Sequence, residues 1–467
     1  MTPTQAVFFA SICLTVACGV KRPVAADNKF RELSRLTADT AESPTTDFPT
    51  CGTKWPWALT RLNKKLLSSF TGVRPAFEFS ISSSRYPLVV HAMNSTKLEY
   101  ATRILAYADK SWEEIVEHLG FRAPRPDEIG GDLQRGDVDP RIDIYIRDDL
   151  MAGVGGYTGF SGFDDKTPET DAVGYLVIAD LLTDVYIRGV VAHEFFHLSQ
   201  MAYDWFEHPG FMEATAVWVT DHVFDDENFY SRYYAYYNKT PSQGIDHISL
   251  ADPYQYGAGM WYQYFDEKIG QGNGSAIRKL WEGTVQTEMN NEPDFFDVMR
   301  SMVGGGDNLK NEFADFGASR LFVGSRAGSR ADGHHLREAE TWSERVIPTF
   351  IELGDFTEMR SRTWSAPSGM EPYSHAFLRG INIPEDAIMH IEFDVTSEKN
   401  IRVEEVKAAS KERVVILTRL YEGEYDPELS SKGAVAVSGK VSFDANVSIA
   451  TQSVHVTQHK ISFDRVK

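Results

Sequence analysis

Residues 185–222 read VYIRGVVAHEFFHLSQMAYDWFEHPGFMEATAVWVTDH, and the fold is decided inside them, at HEFFH, 193–197. Positions four apart on an α-helix share a face, so His193 and His197 can grip one ion together. Glu194 lies one step round, within reach of a water on that ion. This is the HExxH arrangement of zinc hydrolases, and paired imidazoles suit Zn2+. The flanks fit a helix. Asp184 stands where a cap belongs, residues 185–203 hold no proline and a single glycine, and Val190, Val191, Phe195, Leu198 and Met201 supply apolar surface. A zinc that activates water needs a third protein ligand and an open position. Glu213, in GFMEATAVWVT, is the best candidate. Pro209 and Gly210 read as a turn, and the run after them reads as a second helix that packs back antiparallel. Position 203 is Tyr, so the metzincin third His is absent. Asp204 is too close along the first helix unless that helix ends there, and His208 falls in the turn.

HEFFH followed by FMEATA resembles the gluzincins, the thermolysin-like clan whose HExxH helix is followed by a helix carrying a Glu ligand. It is also similar to a group of secreted bacterial metalloproteases with HEFFH and a downstream Glu helix. DPYQYGAGMWYQYFDEKIG, 252–270, resembles the segment of leukotriene-hydrolase-type zinc aminopeptidases that carries a catalytic Tyr in a PYxKG context. By that match the Tyr is Tyr254. The resemblance spans roughly residues 85–325, and 193–213 is its specific part. It implies Zn2+ held by His193, His197 and Glu213, Glu194 as general base, Tyr254 as donor to the oxyanion, and a protein or peptide substrate. It departs from the clan in places. Fifteen residues separate His197 from Glu213, a shorter gap than usual. Val217 stands where an Asp steadies a His ligand, and Tyr256 replaces the aminopeptidase Lys. No GxMEN-type clamp for a substrate α-amine precedes the helix, which favours endopeptidase over aminopeptidase action. Two other classes stay open: a zinc-bearing binding or adhesion protein without turnover, and a zinc hydrolase of non-peptide amide or ester bonds.

The 467 residues, 42% hydrophobic, suffice for two or three domains with real cores. A formal charge of −20 argues against nucleic-acid binding, which calls for a basic surface. The apolar run AVFFASICLTVACGV, 6–20, is shorter than the ~20 residues of a comfortable membrane span and suits a secretory signal. Val24-Ala25-Ala26 offers a cleavage site, so the chain is expected to be secreted and extracellular, with no stable membrane span. The alternative is a cell-surface lipoprotein anchored at Cys18, at the end of LTVAC. Cys13 and Cys18 fall in the signal, so Cys51 has no internal disulfide partner. A thiolate from Cys51 that blocks zinc is conceivable, but its flanking sequence offers no support, and an idle thiol is the expectation.

The expected fold class is α+β: a two-lobed zincin-like catalytic domain, a sheet plus the zinc helix and then a helical lobe, followed by a C-terminal β-sandwich. The expected segments are a signal peptide, 1–26; a tether or short pro-segment, 27–58; the metallopeptidase domain, 59–345; and the sandwich, 346–467. Residues 86–92, 142–148 and 174–180 alternate or run apolar as strands, and 95–119 carries the three-four spacing of a helix. GYLVIAD, 174–180, is a candidate substrate-binding edge. MAGVGGYTGFSGF, 151–163, reads as a mobile loop and DDKTPETD, 164–171, as a solvated one. YYAYYN, 233–238, reads as core, 257–325 as mostly helical, and His334 and His335 as a surface pair. From about 345, short alternating runs parted by turns indicate strands.

Overall fold

The computed structural model describes Thr50, Cys51, Thr53 and most of residues 74–464; the longest stretches outside the described residues in that span are 128–139, 426–433 and 445–452. The expected signal with Cys18, most of the tether, and the pair His334 and His335 also lie outside the described residues. The chain is a mixed α+β protein with several sheets. It divides into two compact units: 1–230 with 248–262 and 270–298, and 231–247 with 263–269 and 299–467. No helix among the described residues is long and apolar enough to cross a membrane.

The first unit is built on a six-stranded sheet. Its strands are β1 (Thr50–Cys51), β2 (Phe79–Ser82), β3 (Leu88–Ala92), β4 (Ile142–Arg147), β5 (Val154–Phe163) and β6 (Ala172–Ala179), in the order β1-β5-β6-β4-β3-β2. The β1–β5, β4–β6 and β3–β4 pairs are parallel; β5–β6 and β2–β3 are antiparallel. The strands expected at 86–92, 142–148 and 174–180 are β3, β4 and β6. Two expectations need correction. GYLVIAD is not an edge: β6 lies between β5 and β4 and is buried along its whole length, which is why it reads as an unbroken apolar run. The glycine-rich stretch taken for a loop is β5, paired to β6 from Gly156 to Phe163.

The glycines of β5 reflect crowding. A Cβ on Gly156 would lie 2.8 Å from the Val177 carbonyl oxygen, 2.9 Å from Val190 Cγ1 and 3.1 Å from Glu194 Cγ. One on Gly159 would lie 2.3 Å from the ring of Tyr175, its partner across the ladder. The strand is pressed so close to the HEFFH helix and to β6 that side chains are excluded at these points. Glycine weakens a strand's local preference, which hides the strand from a sequence reading.

Residues 95–119 form one helical stretch: a 3₁₀ turn, Ser95–Lys97, then α1 (Leu98–Trp112), then a π turn, Glu113–His118. Tyr100, Ala101, Ile104, Ala108 and Ile115 are buried at helical spacing, and Gly120 ends the stretch at φ +75°, the left-handed conformation that glycine favours. Leu98, at the start of α1, is exposed. Helix α2 (Asp184–Met201) carries HEFFH and is buried on every side from Val190 to Met201, between β5, β6, α1 and the next helix. Its N-cap is Thr183, not Asp184, whose carboxylate accepts from the Tyr107 hydroxyl at 2.7 Å. Helix α3 (Pro209–Val223) begins where a turn was expected, with Pro209 in its first turn, where a missing N–H costs nothing. The acidic stretch 164–171 is not simply solvated: Asp164 and Asp171 are buried, and Asp171 pairs with Arg125 at 2.5 Å.

Further helices are α4 (Ser231–Lys239), α5 (Tyr254–Gly257), α6 (Gly259–Gly270), α7 (Ser275–Gly283), α8 (Phe295–Met302) and α9 (Gly306–Ser319), the last four within the stretch 257–325 that reads as mostly helical. In α4, Tyr233, Tyr234 and Tyr237 of YYAYYN are buried. The second unit also holds two sheets. The four-stranded one runs β11 (Ile401–Ala409), β12 (Glu412–Arg419), β9 (Ser374–Ile381), β7 (Phe350–Asp355). The five-stranded one runs β14 (Ser453–Thr457), β15 (Lys460–Asp464), β10 (Ile388–Val395), β13 (Val437–Asp444), β8 (Ser361–Ser365). One apolar cluster draws on both: Leu353, Leu378, Val415 and Leu417 from the first, Trp364, Val437 and Val441 from the second. Ala318 of α9, with Leu321 and Phe322, packs on Phe377, Val414 and Ile416.

Replacing Gly156 by Ala should destabilise the chain by about 1–3 kcal/mol through overpacking, read as a lower denaturation midpoint at unchanged slope. Asp294, 1% exposed, accepts at Oδ1 from the Asp297 N–H at 2.9 Å. Burial, with Asp297 and Glu292 adding, lifts its carboxyl to about 8. A carboxyl raised on folding binds its proton more tightly in the native state, so the stability it contributes is present at acid pH and is lost as pH rises to about 8. Asp294→Asn keeps the cap and removes the charge, so its gain in Tm should be larger at pH 8 than at pH 5, as calorimetry at both values would read.

Candidate metal centre

Helix α2 sets His193 and His197 one turn apart, and α3 returns antiparallel with Glu213 on its first turns. The short link 202–208 makes this return feasible. The helix stops at Met201, and Asp204 turns into the core, where it accepts from the Thr170 hydroxyl at 2.8 Å and the Phe206 N–H at 2.9 Å. His208 is the N-cap of α3, its Nδ1 accepting from the Gly210 N–H at 3.1 Å, so both rival ligands have structural work.

The three expected ligands meet. His193 Nε2 lies 3.0 Å from Glu213 Oε2 and 3.0 Å from His197 Nε2, and His197 Nε2 lies 3.6 Å from Glu213 Oε2. His193, His197 and Glu213 are all buried. Two imidazole lone pairs and a carboxylate facing one another repel unless a proton or a cation sits among them. The electrostatics express this demand. Burial pushes the Glu213 carboxyl up, but the imidazoles of His197 and His193 outweigh it and hold it well below the usual carboxylate range. Burial disfavours charge on His197, yet Glu213 and then Glu194 raise it above an ordinary imidazole.

A fourth donor joins them. Cys51 Sγ lies 3.6 Å from His197 Nε2, and the donor atoms of Cys51, His193, His197 and Glu213 all fall within 4.8 Å of one another. Such a set could hold a metal ion. Cys51, expected as a buried or idle thiol, lies against the cluster. Its neighbour in space is not its neighbour in sequence, since β1 reaches the site by pairing with β5, Cys51 opposite Gly156.

Glu194, 1% exposed, points to the same side. Its Oε2 accepts from the Thr158 hydroxyl at 3.0 Å and from the Thr53 hydroxyl at 3.2 Å. His197 is oriented by Gln200: Nδ1 lies 2.7 Å from Gln200 Oε1, while Gln200 Nε2 donates to the Met212 carbonyl and to Thr215 Oγ1, both at 2.9 Å. Those two acceptors fix the amide's orientation, so Nδ1 of His197 carries the proton and Nε2 presents its lone pair to the cluster. Gln200 thus fills the steadying role left vacant at Val217. Its signal in the sequence was a polar residue three positions after the second His, on the same face.

Of the two tyrosines in DPYQYG, Tyr256 faces the cluster. Its ring centroid lies 5.8 Å from that of His193, and its hydroxyl accepts from the Cys51 N–H at 3.0 Å. Tyr254, put forward for the oxyanion, is fully buried at the start of α5, with its N–H on Asp252 Oδ1 at 3.2 Å. No protein-family model matches the chain, and no curated protein matches it.

Replacing Gln200 by Leu frees the His197 ring and should weaken metal binding by about 10–100-fold, measured by competition with a chromogenic chelator. An unchanged affinity would remove Gln200 from the site.

Proposed function

We propose that the chain is a secreted zinc-dependent peptidase of gluzincin type, cleaving within protein or peptide substrates. The observation that carries this reading is the convergence of Glu213 on His193 and His197, with Glu194 beside them. Imidazole nitrogens with a carboxylate oxygen are a donor set that suits zinc. In this reading the first sheet with its helices, and the helices after them, make the two lobes of a zincin-like catalytic domain over residues 59–345. The two C-terminal sheets make a β-sandwich accessory domain over 346–467.

A bound Zn2+ would supply Lewis acidity, polarising the scissile carbonyl and making water nucleophilic near neutral pH. The chain's own groups do the rest. His193, His197 and Glu213 hold the ion. Glu194, its Oε2 positioned by Thr158, takes a proton from water and passes it to the leaving amine. The Tyr256 hydroxyl donates to the developing oxyanion, in place of Tyr254. Strand β5 lies against Glu194 at Gly156, and the edge that β1 covers at Val154 and Gly156 would take an extended substrate once β1 leaves it.

A second reading has one observation in its favour. Cys51 closes the donor set to four, as in structural zinc sites, which favours a zinc-bearing protein without turnover.

Glu194→Gln should keep its metal and lose about 10²–10⁴-fold in kcat against a peptide library; turnover at the wild-type rate would overturn the base assignment. Tyr256→Phe should lower kcat by about 10²-fold or more at unchanged metal content, with Tyr254→Phe close to wild type. The reverse order would restore Tyr254 to the oxyanion role.

A further inference from the structure

We infer that Thr50, Cys51 and Thr53 form a built-in, displaceable inhibitor of this site: Cys51 as fourth metal ligand, Thr53 as a latch on the catalytic base, and the backbone of Thr50 and Cys51 as a stand-in for substrate on β5. The inference rests on reading His193, His197 and Glu213 as a metal site. Three separate contacts support it.

The first is ligand geometry. Around a tetrahedral ion with metal–nitrogen and metal–oxygen bonds of about 2.0–2.1 Å and a metal–sulfur bond of about 2.3 Å, donors lie roughly 3.3–3.6 Å apart. Cys51 Sγ to His197 Nε2 and His197 Nε2 to Glu213 Oε2, both 3.6 Å, fall in that range; the two separations at His193 are 3.0 Å, and all four donor atoms lie within 4.8 Å of one another. Ligation converts the thiol to a thiolate and releases its proton to solvent. The Thr53 N–H, 3.3 Å from Sγ, donates to that sulfur.

The second is the base. Thr53 Oγ1 accepts from the Thr158 N–H at 2.8 Å and donates to Glu194 Oε2 at 3.2 Å. With the Thr158 hydroxyl, which donates to the same oxygen at 3.0 Å, that donation fills both lone pairs of Oε2. The third is the backbone. Thr50 pairs with Val154 and Cys51 with Gly156, in parallel, on the outer edge of β5. The Tyr256 hydroxyl meets both the Cys51 N–H at 3.0 Å and the Cys51 carbonyl oxygen at 3.4 Å. So metal ligands, base, sheet edge and phenol are all engaged by one short segment from 142 positions before His193 in the chain. A purely structural ligand would need the sulfur and would have no use for the contact to Glu194.

Co2+ loaded into the full-length protein tests this. Wild type should bind one cobalt and show a thiolate-to-cobalt charge-transfer band in the near ultraviolet. Cys51→Ser should bind cobalt and lack that band. With zinc, Cys51→Ala should cleave peptides faster than wild type by on the order of tenfold or more, since an intramolecular ligand competes at millimolar effective concentration. The Cys51 thiol of the metal-loaded wild type should resist a disulfide reagent until a chelator is added, a measurement that needs no variant. Cobalt binding without a thiolate band, or a thiol equally reactive with and without metal, would overturn the role of Cys51 and leave the metal site standing. Failure of wild type and Cys51→Ser alike to bind cobalt would sink the metal site itself. A thiolate band together with a Cys51→Ala protein that is folded, metal-loaded and no faster than wild type would make the cysteine structural and end the inhibitor account.

Discussion

The arrangement depends on confining a carboxylate and two imidazoles inside a water-poor space. An isolated buried charge costs several kcal/mol, so Glu213 is tolerable there only because His193 and His197 face it. That requirement reaches outward. The imidazoles must point the right way, which Gln200 enforces on His197 through Nδ1. The second helix must return promptly, which the cap by His208 and the proline after it accomplish. The helix bearing the histidines must sit against the sheet with no gap, which the bare backbone at Gly156 allows. Each is a local choice of residue that makes sense only in view of the same cluster.

Much of this was legible in the chain. The four-residue spacing in HEFFH places two side chains on one helical face whatever the rest of the fold does. A proline-started, apolar helix shortly after it leaves Glu213 few other places to point. Strands β3, β4 and β6 were legible because burial on one or both faces leaves apolar runs or alternation. What was hidden depended on tertiary proximity. Strand β5 is glycine-rich because side chains are sterically excluded, and local propensity cannot distinguish that from a loop. Cys51 sits in a polar stretch with no periodicity, and only pairing with β5 brings it to His197. Tyr256, whose ring lies 5.8 Å from that of His193, is two positions from Tyr254 on one short helix, so a motif match alone could not single it out.

The second unit illustrates the opposite balance. Strands β9 and β12 are buried on both faces, Phe377, Val414 and Ile416 in one apolar cluster and Leu378, Val415 and Leu417 in another, so they read as apolar runs. Strand β11, IRVEEVKAA, is an edge strand that mixes charged residues with core residues on both faces, Ile401 and Val403 on one and Val406 and Ala408 on the other, so it shows no alternation. Arg413, on its neighbour β12, reaches Glu405 at 3.1 Å, so part of that charge is matched across the ladder.

Seen as a sheet margin, the pairing of Thr50 and Cys51 has a consequence for how the molecule meets its own copies. Strand β5 is rich in glycine and poor in side chains, and its outer margin is of the kind that recruits a foreign strand. The short β1 covers it over Val154 and Gly156. A chain stripped of that cover would present open amide and carbonyl groups to any neighbour, and colloidal behaviour as well as chemistry would change with it.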